Sequence, residues 1–156
     1  MMNLLVATLL MVAYLAFVLV RFGVPRSLSD TYYLLDGMGW LFQVVLAVFT
    51  FLVIPVWVEC SSAYTECLAF LSCSGLGFVA AAACFKVDLT GMVHYVSAVL
   101  CCACAVLWQV LETSWIVPCV GIGLACLGGV LTKGKWFWWI EMGVLGSALV
   151  SLIFFV

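Results

Sequence analysis

Charge is what this sequence has least of. Only 8% of its 156 residues are Asp, Glu, Lys or Arg, and His94 is the single histidine. A water-soluble domain carries about 25% charged residues, so too few polar side chains are present to coat a globule against water. Five Lys and Arg against seven Asp and Glu leave no basic surface for neutralising phosphates, which excludes a nucleic-acid binder. One histidine excludes a multi-histidine zinc site, which needs three or four suitably spaced ligands, and no cofactor is expected. No hydrophilic stretch is long enough to form an appended soluble domain. What is abundant is apolar: 69% of the residues, with a mean hydropathy of +1.38. The composition is that of an integral membrane protein.

A spanning helix needs about 20 mostly apolar residues, because the hydrocarbon core is about 30 Å thick and each residue rises about 1.5 Å. Cutting the chain at its charges leaves six such runs, at residues 3–20, 39–58, 67–85, 93–111, 114–132 and 136–156. None alternates apolar and polar as a barrel strand does. The expected fold is an all-α, six-helix polytopic bundle in one domain over residues 1–156. The first run lacks a positive leading region, and Val18-Leu19-Val20-Arg21 is a poor cleavage site, so it is expected to be a retained helix.

The charges orient this bundle. Arg21 and Arg26 fall in the first loop, Lys86 in the third, and Lys133 and Lys135 in the fifth, whereas Glu59, Glu66 and Glu112 occupy the second and fourth. Lys and Arg favour the cytoplasmic side. Loops one, three and five are therefore expected in the cytoplasm and both termini outside, in the cell (inner or plasma) membrane. All seven tryptophans (Trp40, Trp57, Trp108, Trp115, Trp136, Trp138 and Trp139) lie near expected helix ends, where an amphipathic ring sits at the membrane–water interface.

The first loop, about eighteen residues by the segmentation above, is the longest. Ser27 and Ser29 are N-cap candidates, with Asp30 in the acidic capping-box position after Ser27. Leu28 to Leu35 predicts a short helix along the cytoplasmic interface with Tyr32 and Tyr33 at headgroup depth. The fourth loop holds only Glu112 and Thr113, with Thr113 or Ser114 available as a cap. These unequal loops show no internal repeat of the transporter kind. Small residues every fourth position mark packing faces: Gly77 and Ala81; Gly121, Ala125 and Gly129; Gly143, Ser147 and Ser151. The row Gly121, Ala125, Gly129 serves either packing within the monomer or a homo-oligomer seam.

Few residues carry chemistry. Seven of the nine cysteines sit inside apolar runs, where cysteine behaves as a small hydrophobe. Cys101 and Cys104 form a Cys-x-x-Cys without a basic neighbour to activate a thiol. Cys60 and Cys67 bracket an external loop and are candidates for a disulfide. Glu141 stands out, with apolar sequence on both sides about five residues into the last run. An acidic group inside a membrane segment costs roughly 2.5–3.5 kcal/mol at the bilayer centre and faces a partner in the bundle. At its depth lie Gln43, His94 and Tyr95. The expectation is a polar pocket open to the cytoplasm, with Arg21, Lys86, Lys133 and Lys135 as a basic rim that attracts an anionic headgroup. The alternative is a structural bond that fixes helix packing.

Val24-Pro25-Arg26-Ser27-Leu28-Ser29-Asp30-Thr31-Tyr32-Tyr33, followed by Phe85-Lys86 and Val93-His94-Tyr95, resembles a pattern in small, uncharacterised multi-pass membrane proteins of bacteria and their viruses. The resemblance carries no activity, but it pairs the first loop with His94 on the cytoplasmic side. A looser analogy is to membrane-embedded lipid hydrolases with several histidines, from which this chain departs by having one. The reading that follows is a non-enzymatic membrane protein that binds or passes a lipid headgroup or small solute through a pocket of Glu141, Gln43, His94 and Tyr95. Two alternatives remain: a membrane-embedded lipid hydrolase with His94 as base, although no Gly-x-Ser-x-Gly is present, and a structural subunit of a membrane assembly.

Overall fold

The computed structural model describes residues 1–155. Among them the chain is all helical: α1 (Met2–Phe22), α2 (Thr31–Leu34), α3 (Trp40–Glu59), α4 (Glu66–Ala81), α5 (Asp88–Glu112), α6 (Ile116–Leu131) and α7 (Trp136–Phe155). The expected end of the last helix at Val156 lies outside the described residues. Four helices, α1, α3, α5 and α7, are long and apolar enough to cross a membrane. The expected third and fifth spans are shorter: α4 and α6 have 16 residues each. They rise about 24 Å, less than the about 30 Å of hydrocarbon.

The shortening of α4 has a local cause. After Ala81 the chain leaves the helix and folds back on the first turn of α5, where a Cβ added at Gly91 would lie 2.5 Å from the Phe85 carbonyl oxygen. Only glycine admits that return. Helix α5 accordingly starts at Asp88 rather than at the expected Val93, with the Asp88 carboxylate in the first turn, where the helix dipole favours negative charge. Cutting the sequence at charges misplaced this boundary, because a charged residue at a membrane interface starts a helix as readily as it ends one.

Backbones approach closely where side chains are smallest. An added Cβ at Gly75 of α4 would lie 2.7 Å from Ser97 O of α5, and Ser72 donates from Oγ to Cys101 O at 3.0 Å. Between α6 and α7 the approach is reciprocal, with each added Cβ at Gly121 or Gly143 falling 2.6 Å from the other residue's oxygen. Gly128 and Gly129 receive the rings of Trp139 and Trp136. The row Gly121, Ala125, Gly129 is thus buried against α7 of the same chain. Gly77, in contrast, faces open space.

The core runs along the bundle through Met11, Val18, Phe42, Leu46, Val53, Trp108 and Leu152. Large apolar side chains cover the outside, among them Leu5, Phe51, Val99 and Leu124, as expected where the solvent is hydrocarbon. The two ends of the bundle differ. At one, the first loop meets the loop before α5 and the start of α7, so the segments holding all five basic residues gather together. At the other, Glu112 accepts hydrogen bonds from Ser62 N–H at 3.0 Å and from the hydroxyls of Ser62 and Thr65, and Trp108 Nε1 donates to Ser61 Oγ at 2.7 Å. The Glu112 carboxylate therefore ties the end of α5 to the second loop. The tryptophans divide as well: Trp40 and Trp115 are exposed, whereas Trp57, Trp108 and Trp138 turn into the core.

Cys60 and Cys67 are free thiols, as are the other seven cysteines. Cys60 sits at the end of α3 against the core, while Cys67 is exposed in the first turn of α4 with its thiol near Tyr64 O.

Candidate functional site

The first loop forms the site. Gly23 ends α1 at φ 70°, a conformation that glycine adopts without strain, and the chain then turns inward. It does not lie along the surface as expected. Leu28, Ser29, Thr31 and Leu35 are all buried, and the helical part is the single turn α2. The reason is that its short polar side chains find partners inside the mouth of the bundle. Ser27 Oγ accepts from Asp30 N–H at 3.1 Å, half of the expected capping box. Thr31 Oγ1 lies 2.6 Å from the Tyr14 hydroxyl and donates to Leu28 O at 2.6 Å. With Thr31 donating to that carbonyl, the Tyr14 hydroxyl is left to donate to Thr31.

Glu141 holds the centre of this loop. Its Oε2 accepts from Leu28 N–H at 2.5 Å, nearly one helical turn from where Trp138 N–H donates to Arg26 O at 2.9 Å. Lys135 donates from Nζ to Val24 O. The start of α7 therefore binds the loop through three successive points. On the other flank, Lys86 N–H donates to the Tyr33 hydroxyl at 3.0 Å, and its ammonium lies 4.0 Å from that ring. Tyr32 and Cys84 meet at 3.1 Å.

His94 is buried beneath the loop. Its Nε2 is 2.8 Å from Ser29 Oγ and its Nδ1 is 3.0 Å from Ala82 O. The Phe85 ring packs 4.9 Å from the imidazole, and Tyr95 sits edge-on at 5.8 Å.

Under Leu28, Ser29 and Glu141 lies a partly open cavity of about 90 Å³, whose wall also includes Met11, Leu46, Val53 and Trp57 and continues to Leu152. Its lining is almost wholly apolar. Trp57 Nε1, in that wall, has no hydrogen-bond partner among the described residues and stacks edge-on to Trp108.

The expected site is thus brought together only in part. Glu141 reaches the cavity, but its partner is a backbone amide, and Gln43 instead donates to Ala80 O of α4 at 3.2 Å. His94 lies beside the cavity, joined to it through Ser29. Tyr95 is largely exposed outside. Lys86 and Lys135 are engaged with the loop, while Arg21 and Lys133 are exposed at the same end. Ser29 was read as a helix cap and Leu28 and Thr31 only as parts of the first-loop motif, and Tyr14 was not singled out, although the density of short polar residues in an otherwise apolar chain was a signal. Tyr14→Phe is expected to lower stability by about 1 kcal/mol, the usual net worth of a buried hydrogen bond, read as a lowered Tm in detergent.

No family model, curated protein or solved structure matches the chain.

Proposed function

We propose that the chain is a six-helix integral membrane protein, with the basic end in the cytoplasm, that binds a lipid or similar linear amphipathic molecule along the bundle axis. The short helices α4 and α6 complete the crossing where the bilayer thins or loops carry the remaining depth. The observation that carries the binding reading is the apolar lining of the cavity and its extent along the bundle. Its wall runs from Leu46 to Trp57 on α3 and from Glu141 to Leu152 on α7, about 16 Å in each case by helix rise. That wall is almost wholly apolar along this length. An alkyl segment matches that lining, whereas a sugar or nucleotide would leave its hydroxyls unpaired against apolar walls. Glu141 and Ser29, at the basic end, are the polar groups placed to meet the head of such a molecule. This reading moves the bound species from a headgroup in a polar pocket to a chain in an apolar one.

Native mass spectrometry of the full chain in mild detergent, with bound species identified after release, tests it. One lipid or fatty molecule retained in fixed ratio is expected, displaced by Ala98→Leu, which fills the cavity from α5. A bare protein under conditions that preserve the fold would sink the reading.

A further inference from the structure

At the cavity mouth two side chains stand to each other as a nucleophile stands to its base. A carbonyl has no hydrogen to give, so His94 Nδ1, 3.0 Å from Ala82 O, must carry the ring hydrogen as donor. In the neutral ring Nε2 then presents its lone pair to the Ser29 hydroxyl, 2.8 Å away. The Ala82 carbonyl thus favours the tautomer required of a general base. Phe85 and Tyr95 hold the ring from two sides. Ser29 belongs to the cavity wall and His94 does not, so the nucleophile's residue borders the cavity and the base lies one hydrogen bond behind it. Nucleophile, base and a group that orients the base are the three parts of a covalent acyl-transfer site.

We propose that Ser29 and His94 form a hydrolytic centre for carboxylic esters of a long-chain acid, with the acyl chain lying in the cavity. The proposal rests on the chain-binding reading above. Ser29 Oγ forms a bond to the ester carbonyl carbon while His94 Nε2 takes the hydroxyl proton. The tetrahedral intermediate collapses with cleavage of the bond between the acyl carbon and the alcohol oxygen, and the imidazolium returns its proton to that oxygen, releasing the alcohol. Water then attacks the Ser29 ester, giving a proton to Nε2. The bond from the acyl carbon to Oγ breaks, Oγ recovers the proton, and the carboxylic acid leaves. Nothing is oxidised or reduced. A neutral carbonyl behind the imidazole stabilises the imidazolium less than a carboxylate does, so turnover is expected to be slow and covalent capture is the more sensitive readout.

The full chain in detergent or nanodiscs is treated with a long-chain alkyl fluorophosphonate, and the adduct is mapped by peptide mass spectrometry, beside native mass spectrometry of lipid binding. One adduct on Ser29 is expected, absent in Ser29→Ala and slowed more than tenfold in His94→Gln. Gln keeps hydrogen-bonding capacity toward both Ser29 and Ala82 and lacks the basic nitrogen, so a purely structural pair would be little changed by it. A folded protein that retains its lipid but leaves Ser29 unlabelled overturns the hydrolytic centre and leaves the binding reading standing. Loss of both overturns both. Labelling that His94→Gln does not slow removes the base, and equal labelling by a methyl fluorophosphonate removes the long-chain class.

Discussion

Gly121→Leu is expected to leave little or no folded protein, because it drives α6 and α7 apart at their closest point. A Cβ at Gly121 would already fall 2.6 Å from Gly143 O and 3.0 Å from the Ser147 Cβ, and leucine adds three further carbons beyond it. Backbone on the facing helix has no rotamer by which to yield. Extra methylenes forced into a packed interface cost typically about 1–3 kcal/mol, and with a rigid neighbour the loss should reach or exceed about 3 kcal/mol, a large part of the about 5–15 kcal/mol that holds a domain together. Gly123, on the same helix, has nothing within 4 Å, so Gly123→Leu is the matched control and should purify normally. Size-exclusion profiles and Tm in detergent distinguish the two. A Gly121→Leu protein as stable as the control would show that the helices do not meet this way. A variant that kept its monomer fold but changed oligomeric mass would return the small-residue row to a contact between chains.

Glu141→Ala is expected to release the first loop. It strands the Leu28 N–H, which now donates to the carboxylate at 2.5 Å, in a mouth whose other polar groups are engaged. Leaving a buried donor unsatisfied costs about 1–3 kcal/mol. Glu141→Gln supplies an acceptor of the same reach, so it should recover at least half of the loss. The sensitive measurement is hydrogen exchange across residues 24–35, where Ala should speed exchange and Gln should do so far less. If Gln harms the loop as much as Ala, the charge rather than the hydrogen bond holds it. If neither changes exchange, the loop is carried by Tyr14, His94 and Lys135 without help from Glu141.

These two residues show how unevenly the molecule is written in its sequence. Glu141 is conspicuous because a lone carboxylate inside an apolar helix demands a partner. The partner was not legible, since a backbone amide carries no residue identity and this one lies 113 positions away. The same holds for His94, whose partner Ser29 is 65 residues distant. Ser27, Ser29 and Asp30 look alike as polar loop residues, and only the way the loop enters the mouth decides that Ser29 meets the imidazole. Gln43 is the reverse case. It shares an expected depth with Glu141 but points to Ala80 on a neighbouring helix, because depth along a bundle says nothing of direction around it.

By itself the sequence determined that the chain is helical and apolar, where α1, α3 and α7 lie to within about two residues, the limit at which helix ends are defined, and that the basic loops share one end. Those follow from local quantities, run length and the cost of placing charge in hydrocarbon. Only the tertiary structure decided that α4 stops short, that the first loop folds inward, that the small-residue row is consumed by α7, and that an apolar cavity lies under Leu28 and Glu141. Each depends on which surfaces meet, and meeting is a property of residues far apart in the chain, which no run length or local charge encodes.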